Sequence, residues 1–243
     1  MKRLGKPNML CRLTICLCAI ALAAPMCTVC AAPTTYFGGP DASNLDLSGS
    51  NQARDDFAAT LSLYALETME TVAGQTDPVL FASTPFEATT DFNQVFSYAL
   101  LAVSPTNALL DQGPESEDGP AFDDWIQFDQ PITAFGSYFA QAGDGGANTL
   151  TLRLENTGLG TSKDIVVGTL GPGAGFYNIF FFGVTDTDPF DRVTIIESLD
   201  YDGILLDNAI AGIVVPEPAT WVLFSVGALA ACWVGRRRRA QAA

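Results

Sequence analysis

The chain has 243 residues, with 12 Lys and Arg against 27 Asp and Glu, no histidine, and a net charge of −15. The missing histidine excludes Ser-His-Asp and Cys-His catalysis, His-ligated zinc and imidazole base chemistry. Charge is also partitioned: Lys2, Arg3, Lys6 and Arg12 open the chain and Arg236, Arg237, Arg238 and Arg239 close it, so residues 32–215 hold 26 acidic residues against Arg54, Arg153, Lys163 and Arg192, net −22. That balance excludes nucleic acid as a natural partner, since neutralising phosphates needs clustered Lys and Arg. It favours solubility and divalent cations.

In chain order, the basic start is followed by an apolar run from Leu13 to Ala24, the pattern of a secretory signal. Val29-Cys30-Ala31 offers small residues where a signal peptidase reads, so residues 1–31 are expected to be a signal-peptide helix and the mature chain to begin at Ala32. A lipoprotein is the competing reading, but the residues before Cys27 and Cys30 make poor lipoboxes. All six cysteines (Cys11, Cys16, Cys18, Cys27, Cys30, Cys232) fall in the two ends. Residues 32–215 therefore have no disulfide framework and no thiolate for a transition metal.

Residues 32–215 are long enough for one domain with a sizeable core. Thr34 to Ser50 is polar and Gly-rich and reads as a loosely packed leader. A helix is expected over Ser50 to Leu61, where Ala53, Phe57 and Leu61 recur every four residues. Strands follow over 92–103, 125–129, 132–140, 148–155, 164–170, 175–184, 192–198 and 204–214, each short and rich in β-branched or aromatic residues. Leu150, Leu152 and Leu154 alternate with Thr151, Arg153 and Glu155, giving one buried and one solvated face. Ser104 to Asp123 reads as a long acidic Pro/Gly loop. Short strands at near-even spacing predict an all-β fold, a β-sandwich with one short N-terminal helix.

Among chemical candidates, only carboxylates remain as acid–base groups. Asp55/Asp56, Glu115/Glu117/Asp118, Asp123/Asp124 and Asp186/Asp188/Asp191 are neighbours in sequence, but a glycoside hydrolase needs two carboxyls about 5–10 Å apart across a sugar. Asp200-Tyr201-Asp202-Gly203, with Asp207 beyond it, begins an oxygen-rich loop suited to structural calcium, as does the shorter Asp186-Thr187-Asp188. The twelfth position of an EF-hand would be Ala211, which excludes that motif. An ordinary Asp/Gly turn is the alternative at both places. Gly171 to Gly175 lacks the Lys-Ser/Thr of a phosphate-binding loop. Phe180, Phe181 and Phe182 read as core, whereas Trp125, Tyr138 and Tyr201, with Asp124, are the candidates for an exposed ligand-binding surface.

The chain ends with Pro216-Glu217-Pro218, then 17 uncharged residues from Ala219 to Gly235, then Arg236, Arg237, Arg238 and Arg239. As a helix the uncharged segment is roughly 25 Å long at about 1.5 Å per residue, near the lower limit for a transmembrane span. The prolines stop it starting earlier, and the arginines hold its end on the cytoplasmic side. Pro-Glu-Pro, a membrane helix and a basic tail in this order resemble the PEP-CTERM sorting signal of exported bacterial proteins, over residues 216–243. On that resemblance Pro216, Glu217, Pro218, Arg236, Arg237, Arg238 and Arg239 are the sorting-signal residues. The resemblance implies processing by an exosortase-type membrane peptidase in an exopolysaccharide-producing bacterium. It implies inner-membrane anchorage through the C-terminal helix, then release to the cell surface or matrix. A second resemblance, to lectin-like jelly-roll ectodomains, rests on residues 131–139, Gly183-Val184, 189–193 and 206–209. It implies a jelly-roll-like β-sandwich, and with it a non-catalytic surface or matrix protein that binds polysaccharide. A carboxylate-based glycoside hydrolase and a purely structural or adhesive protein are the alternatives.

Overall fold

The computed structural model describes residues 32–41, 46–72, 78–92, 94–97, 102–111, 124–140, 148–170, 178–198 and 203–215. Among these the elements are β1 (Thr34–Asp41), α1 (Ser48–Ala58), β2 (Leu61–Glu67), β3 (Ala88–Thr90), β4 (Gln94–Ser97), β5 (Asn107–Asp111), β6 (Asp124–Ala140), β7 (Asn148–Asn156), β8 (Thr161–Leu170), β9 (Ile179–Glu197) and β10 (Ile204–Val214). The expected signal peptide and the segment from Pro216 onward lie outside the described residues. No described helix is long and apolar enough to cross a membrane.

The fold is an all-β, jelly-roll-like sandwich with one helix. All pairings are antiparallel, and two long strands carry the chain from one layer to the other. Between Gln127 and Ile132 on β6, and between Thr185 and Phe190 on β9, the pairing register breaks. These breaks fall at Pro131 and Pro189, which cannot donate to a ladder. Before the β6 break and after the β9 break the strands join β3, β7 and β8 in an open layer. The other halves join β1, β10, β2, β5 and β4 in a covered layer. The main core lies between the layers, with Phe135, Phe139, Phe180, Phe182 and Leu206 facing Ile126, Phe128, Leu152, Leu154, Val193 and Ile195.

The covered layer buries its second face as well. Ala134, Tyr138, Ile179, Phe181, Leu205 and Ile210 alternate onto that side and pack under Ala53 and Phe57 of α1. Phe57 is fully buried, edge-on to Tyr36 at 5.5 Å and beside Phe181 at 5.7 Å. Two glycines admit the helix. A Cβ at Gly38 would run into the Gly49 carbonyl oxygen, and one at Gly183 would lie 2.8 Å from the Phe57 ring. At the helix start, where amides lack intrahelical partners, an Asp41 oxygen accepts from the buried Ser50 amide at 3.1 Å and from its hydroxyl.

Several expectations are corrected. Thr34–Asp41 is no loose leader but strand β1, paired with β9. The helix spans Ser48–Ala58 rather than Ser50–Leu61, and Leu61 opens β2. The expected strand over 92–103 is a strand only at Gln94–Ser97 among its described residues, and Asn107–Asp111 is a strand inside the expected acidic loop. The strands expected at 125–129 and 132–140 are one, and those expected at 175–184 and 192–198 are halves of β9.

Candidate functional site

Alternation in the open layer sends Ile126, Phe128, Val193, Ile195 and the β7 leucines inward, so their neighbours lie on the outer face, where Thr194 is covered by its surroundings. Register then places outward side chains in rows. One row runs Thr89, Gln127, Arg192, Glu155, Ser162, and the next runs Trp125, Thr194, Arg153, Asp164. Trp125 is the aromatic of this face. Arg192 lies over its ring, 4.7 Å from the centroid, and donates from Nε to Gln127 Oε1 at 2.9 Å. Gln127 in turn donates to the Asp191 carbonyl at 2.8 Å. The Trp125 backbone is pinned by Asp91 Oδ1, which accepts its amide at 2.6 Å, and by the Thr90 hydroxyl, which donates to its carbonyl at 2.7 Å. Thr194 Oγ1 donates to Glu155 at 2.6 Å, and Arg153 holds Asp164 in a forked pair at 2.7 and 3.1 Å. The Arg153 hydrogen bond holds the Asp164 carboxyl below its ordinary value. The face is thus a fixed indole in a field of donors and acceptors that already orient one another.

Apart from this face, a concavity of about 390 Å³ opens where β7 and β8 meet the β9 bulge. Leu154, Leu159, Pro189 and Phe190 form its apolar side, and Lys163 bridges Asp186 at 2.8 Å and Asp188 at 2.7 Å. Burial works against the Lys163 charge, but the hydrogen bonds to Asp186 and Asp188 outweigh it and hold the ammonium above its ordinary value. Both carboxylates here are therefore tied to one cation. The Asp186-Thr187-Asp188 fragment lies within strand β9, not in a turn between strands.

The other candidates fall elsewhere. Tyr138 is not an exposed aromatic: it is 1 % exposed, edge-on to Phe181 at 5.3 Å, and its hydroxyl donates to Asn51 Oδ1. Burial pushes its pKa up to about 12. Asp124 begins β6 opposite the inward Ile195, so alternation turns it away from the Trp125 side. Asp207 is buried, with Oδ2 accepting the Val103 and Ser104 amides and Oδ1 the Asn208 amide, each at 2.6 Å. Burial raises its pKa, against the pull of those amides. Among the described residues no three acidic, His or Cys side chains are grouped to hold a metal ion. The calcium and ligand candidates Asp200, Tyr201 and Asp202 lie outside the described residues. So do the sorting-signal residues Pro216, Glu217, Pro218, Arg236, Arg237, Arg238 and Arg239.

Two sets of residues escaped the sequence reading. Arg192, Gln127 and Glu155 join Trp125 only through cross-strand register. Glu70 accepts the Thr106 and Asn107 amides at 2.9 Å each, with further bonds from Ser104, Thr106 and Asn107 side chains. Burial opposes that charge, yet these donors bring the carboxyl down to about 2. Its partners lie more than thirty positions away, and no local pattern announces them.

Beyond the sandwich, residues 214–239 match the PEP-CTERM protein-sorting motif, a span that takes in Pro216, Glu217, Pro218 and all of Arg236, Arg237, Arg238 and Arg239. The chain carries a PEP-CTERM signal. No curated protein sequence matches the chain. Three solved structures similar to it are a CBM29-2 mutant of the family 29 carbohydrate binding modules (12 % identity, 65 % of this chain and 98 % of that one, TM-score 0.38), the C-terminal family 22 carbohydrate binding module of Clostridium thermocellum Xyn10B (18 %, 66 % and 98 %, 0.35), and the cleaved adhesin domain of Lys-gingipain (15 %, 62 % and 100 %, 0.39).

Proposed function

We propose that this PEP-CTERM chain is the precursor of an exported bacterial surface or matrix protein. It is anchored in the inner membrane by residues 219–235, processed near Pro216-Glu217-Pro218 by an exosortase-type peptidase, and binds polysaccharide without catalysis. The carbohydrate part rests on one observation, the partly exposed Trp125 held by Arg192 on a solvent face of the open layer among Gln127, Thr194, Glu155 and Arg153. An indole offers a sugar ring an apolar face, and the surrounding donors and acceptors match hydroxyls. The non-catalytic part is supported by the concavity beside β8, where Asp186 and Asp188 both serve Lys163 instead of facing each other across open space.

Isothermal titration of residues 32–215 with polysaccharide from the producing strain tests the reading. Trp125→Ala is expected to weaken binding by about tenfold or more, the scale of a buried aromatic anchor. Binding that survives Trp125→Ala moves the site elsewhere, and hydrolysis of the polysaccharide overturns the non-catalytic reading. Running the titration with calcium or chelator tests whether calcium at Asp200 and Asp202 contributes.

A further inference from the structure

Among the described residues strand β2 is an edge of the covered layer, paired on one side only, with β10. Its sequence from Leu61 to Leu66 has no charged side chain, and Leu63, Tyr64 and Leu66 are 49, 52 and 50 % exposed. Leu63 and Tyr64 point to opposite faces of the strand, so both faces of the rim carry exposed apolar side chains, with Ser62 the polar one, its hydroxyl donating to the Ile213 carbonyl at 3.1 Å. The rim carries neither the lysine nor the proline with which exposed edges are commonly blunted. The chain leaves the domain at the same place. Val215, itself 45 % exposed, donates its amide to the Thr60 carbonyl at 2.9 Å, and Val214 pairs with Leu61.

Only Pro216, Glu217 and Pro218 separate Val215 from the uncharged segment that begins at Ala219. Three extended residues reach about 11 Å at most, so an inserted segment keeps the domain against the bilayer. A domain with net charge −22 is repelled by anionic headgroups except where it presents no charge. Beside the exit, the β2 rim is that surface. Half-exposed leucines and a tyrosine suit the interfacial zone, where apolar side chains partition and a phenol meets headgroups. Backbone groups on the side of β2 away from β10 find water and lipid oxygens there.

We infer that the β2 edge, through Leu63, Tyr64, Leu66 and Val215, is the surface on which the anchored precursor rests against the lipid bilayer. This rests on the proposed insertion of residues 219–235. Processing near the Pro-Glu-Pro then frees the rim along with the domain.

The test uses the full chain with its six cysteines replaced by serine, reconstituted into phosphatidylcholine–phosphatidylglycerol vesicles. An NBD label is placed at Leu63→Cys, at Leu66→Cys, or at Val166→Cys, an exposed position on the open layer. Flotation of the vesicles reads insertion separately. Labels at 63 and 66 are expected to shift to the blue and to be quenched by doxyl lipid, while the label at 166 stays solvent-like. Floating protein whose labels at 63 and 66 remain solvent-like overturns the contact and leaves the anchor standing. A blue shift without lipid quenching, fading as lipid dilutes the protein, assigns the rim to a second copy and overturns it too. Protein that fails to float removes the anchor reading, and the contact with it.

Discussion

The two layers of the sandwich use the same β alternation for different ends. The covered layer buries both faces, one in the main core and one beneath α1, and its strand sequences read Ile-Phe-Phe-Phe and Ala-Phe-Gly-Ser-Tyr-Phe-Ala. The open layer buries one face and turns to water a surface of Trp125, Gln127, Arg192, Arg153 and Glu155. Three of the four basic residues between positions 32 and 215 lie on β7, β8 and β9 of the open layer. In a domain this acidic, cations held on one layer mark where orientation of polar groups matters. One layer is packed on both faces, and the proposed recognition belongs to the other.

The largest effect should therefore come from lifting the helix off the covered layer. Phe57→Ala empties a fully buried site between Tyr36 and Phe181 and is expected to cost about 3–5 kcal/mol in urea unfolding. Gly183→Val attacks the same contact from below, forcing the Phe57 ring from a site where a Cβ would sit 2.8 Å away, at about 1–3 kcal/mol. If Phe57→Ala changes the midpoint no more than an outward substitution on the open layer, the helix is decoration and the contrast between layers collapses.

The sequence showed this contrast only in part. The period-two leucines of β7 exposed the one-sided layer directly, because alternation is local. The two-sided layer leaves no alternation, and its apolar runs identify buried strands without saying what covers them. Thr34–Asp41 read as loose because Gly38, Gly39 and Pro40 are poor strand formers, yet Gly38 is what allows α1 to approach. Tyr138, expected on an exposed surface, is buried beneath α1. Ala134, Gly136 and Ala140 are small on its side because the helix needs the room. For the candidate site, Trp125 was legible as a residue and its companions were not, since register is a property of three strands together.

A smaller effect is expected where the covered layer's loops are pinned. With no cysteine between positions 32 and 215, carboxylates do the fastening: Glu67 accepts the Met69 and Phe81 amides, Glu70 those of Thr106 and Asn107, and Asp207 those of Val103 and Ser104. Glu70→Gln removes the charge that these donors stabilise, and about 1–3 kcal/mol is expected at neutral pH. The sign follows from the folded carboxyl lying at about 2 against an ordinary 4.5. The stabilisation is complete above 4.5 and drains away as pH falls toward 2. Urea unfolding at stepped pH should show the gap between wild type and Glu70→Gln closing across that window. A gap independent of pH would mean that shape, and not charge, makes the clasp.

The smallest effect belongs to the open layer. Arg153 and Asp164 face each other across β7 and β8 in a forked pair, but 37 and 51 % of their side-chain surface is exposed. Solvent screens such a pair, and a double-mutant cycle with Arg153→Ala and Asp164→Ala should give a coupling of about 0.2–1 kcal/mol. On stability alone the pair is hardly distinguishable from no pair. Its cross-strand position beside Thr194, in the row that begins with Trp125, gives it a different use. Asp164 occupies the Arg153 guanidinium and so fixes which way its donors point. Asp164→Ala should leave the unfolding midpoint nearly in place while loosening Arg153. If polysaccharide binding then falls although stability does not, the open layer's charges are there to orient; if both stay unchanged, the ligand surface ends before β7.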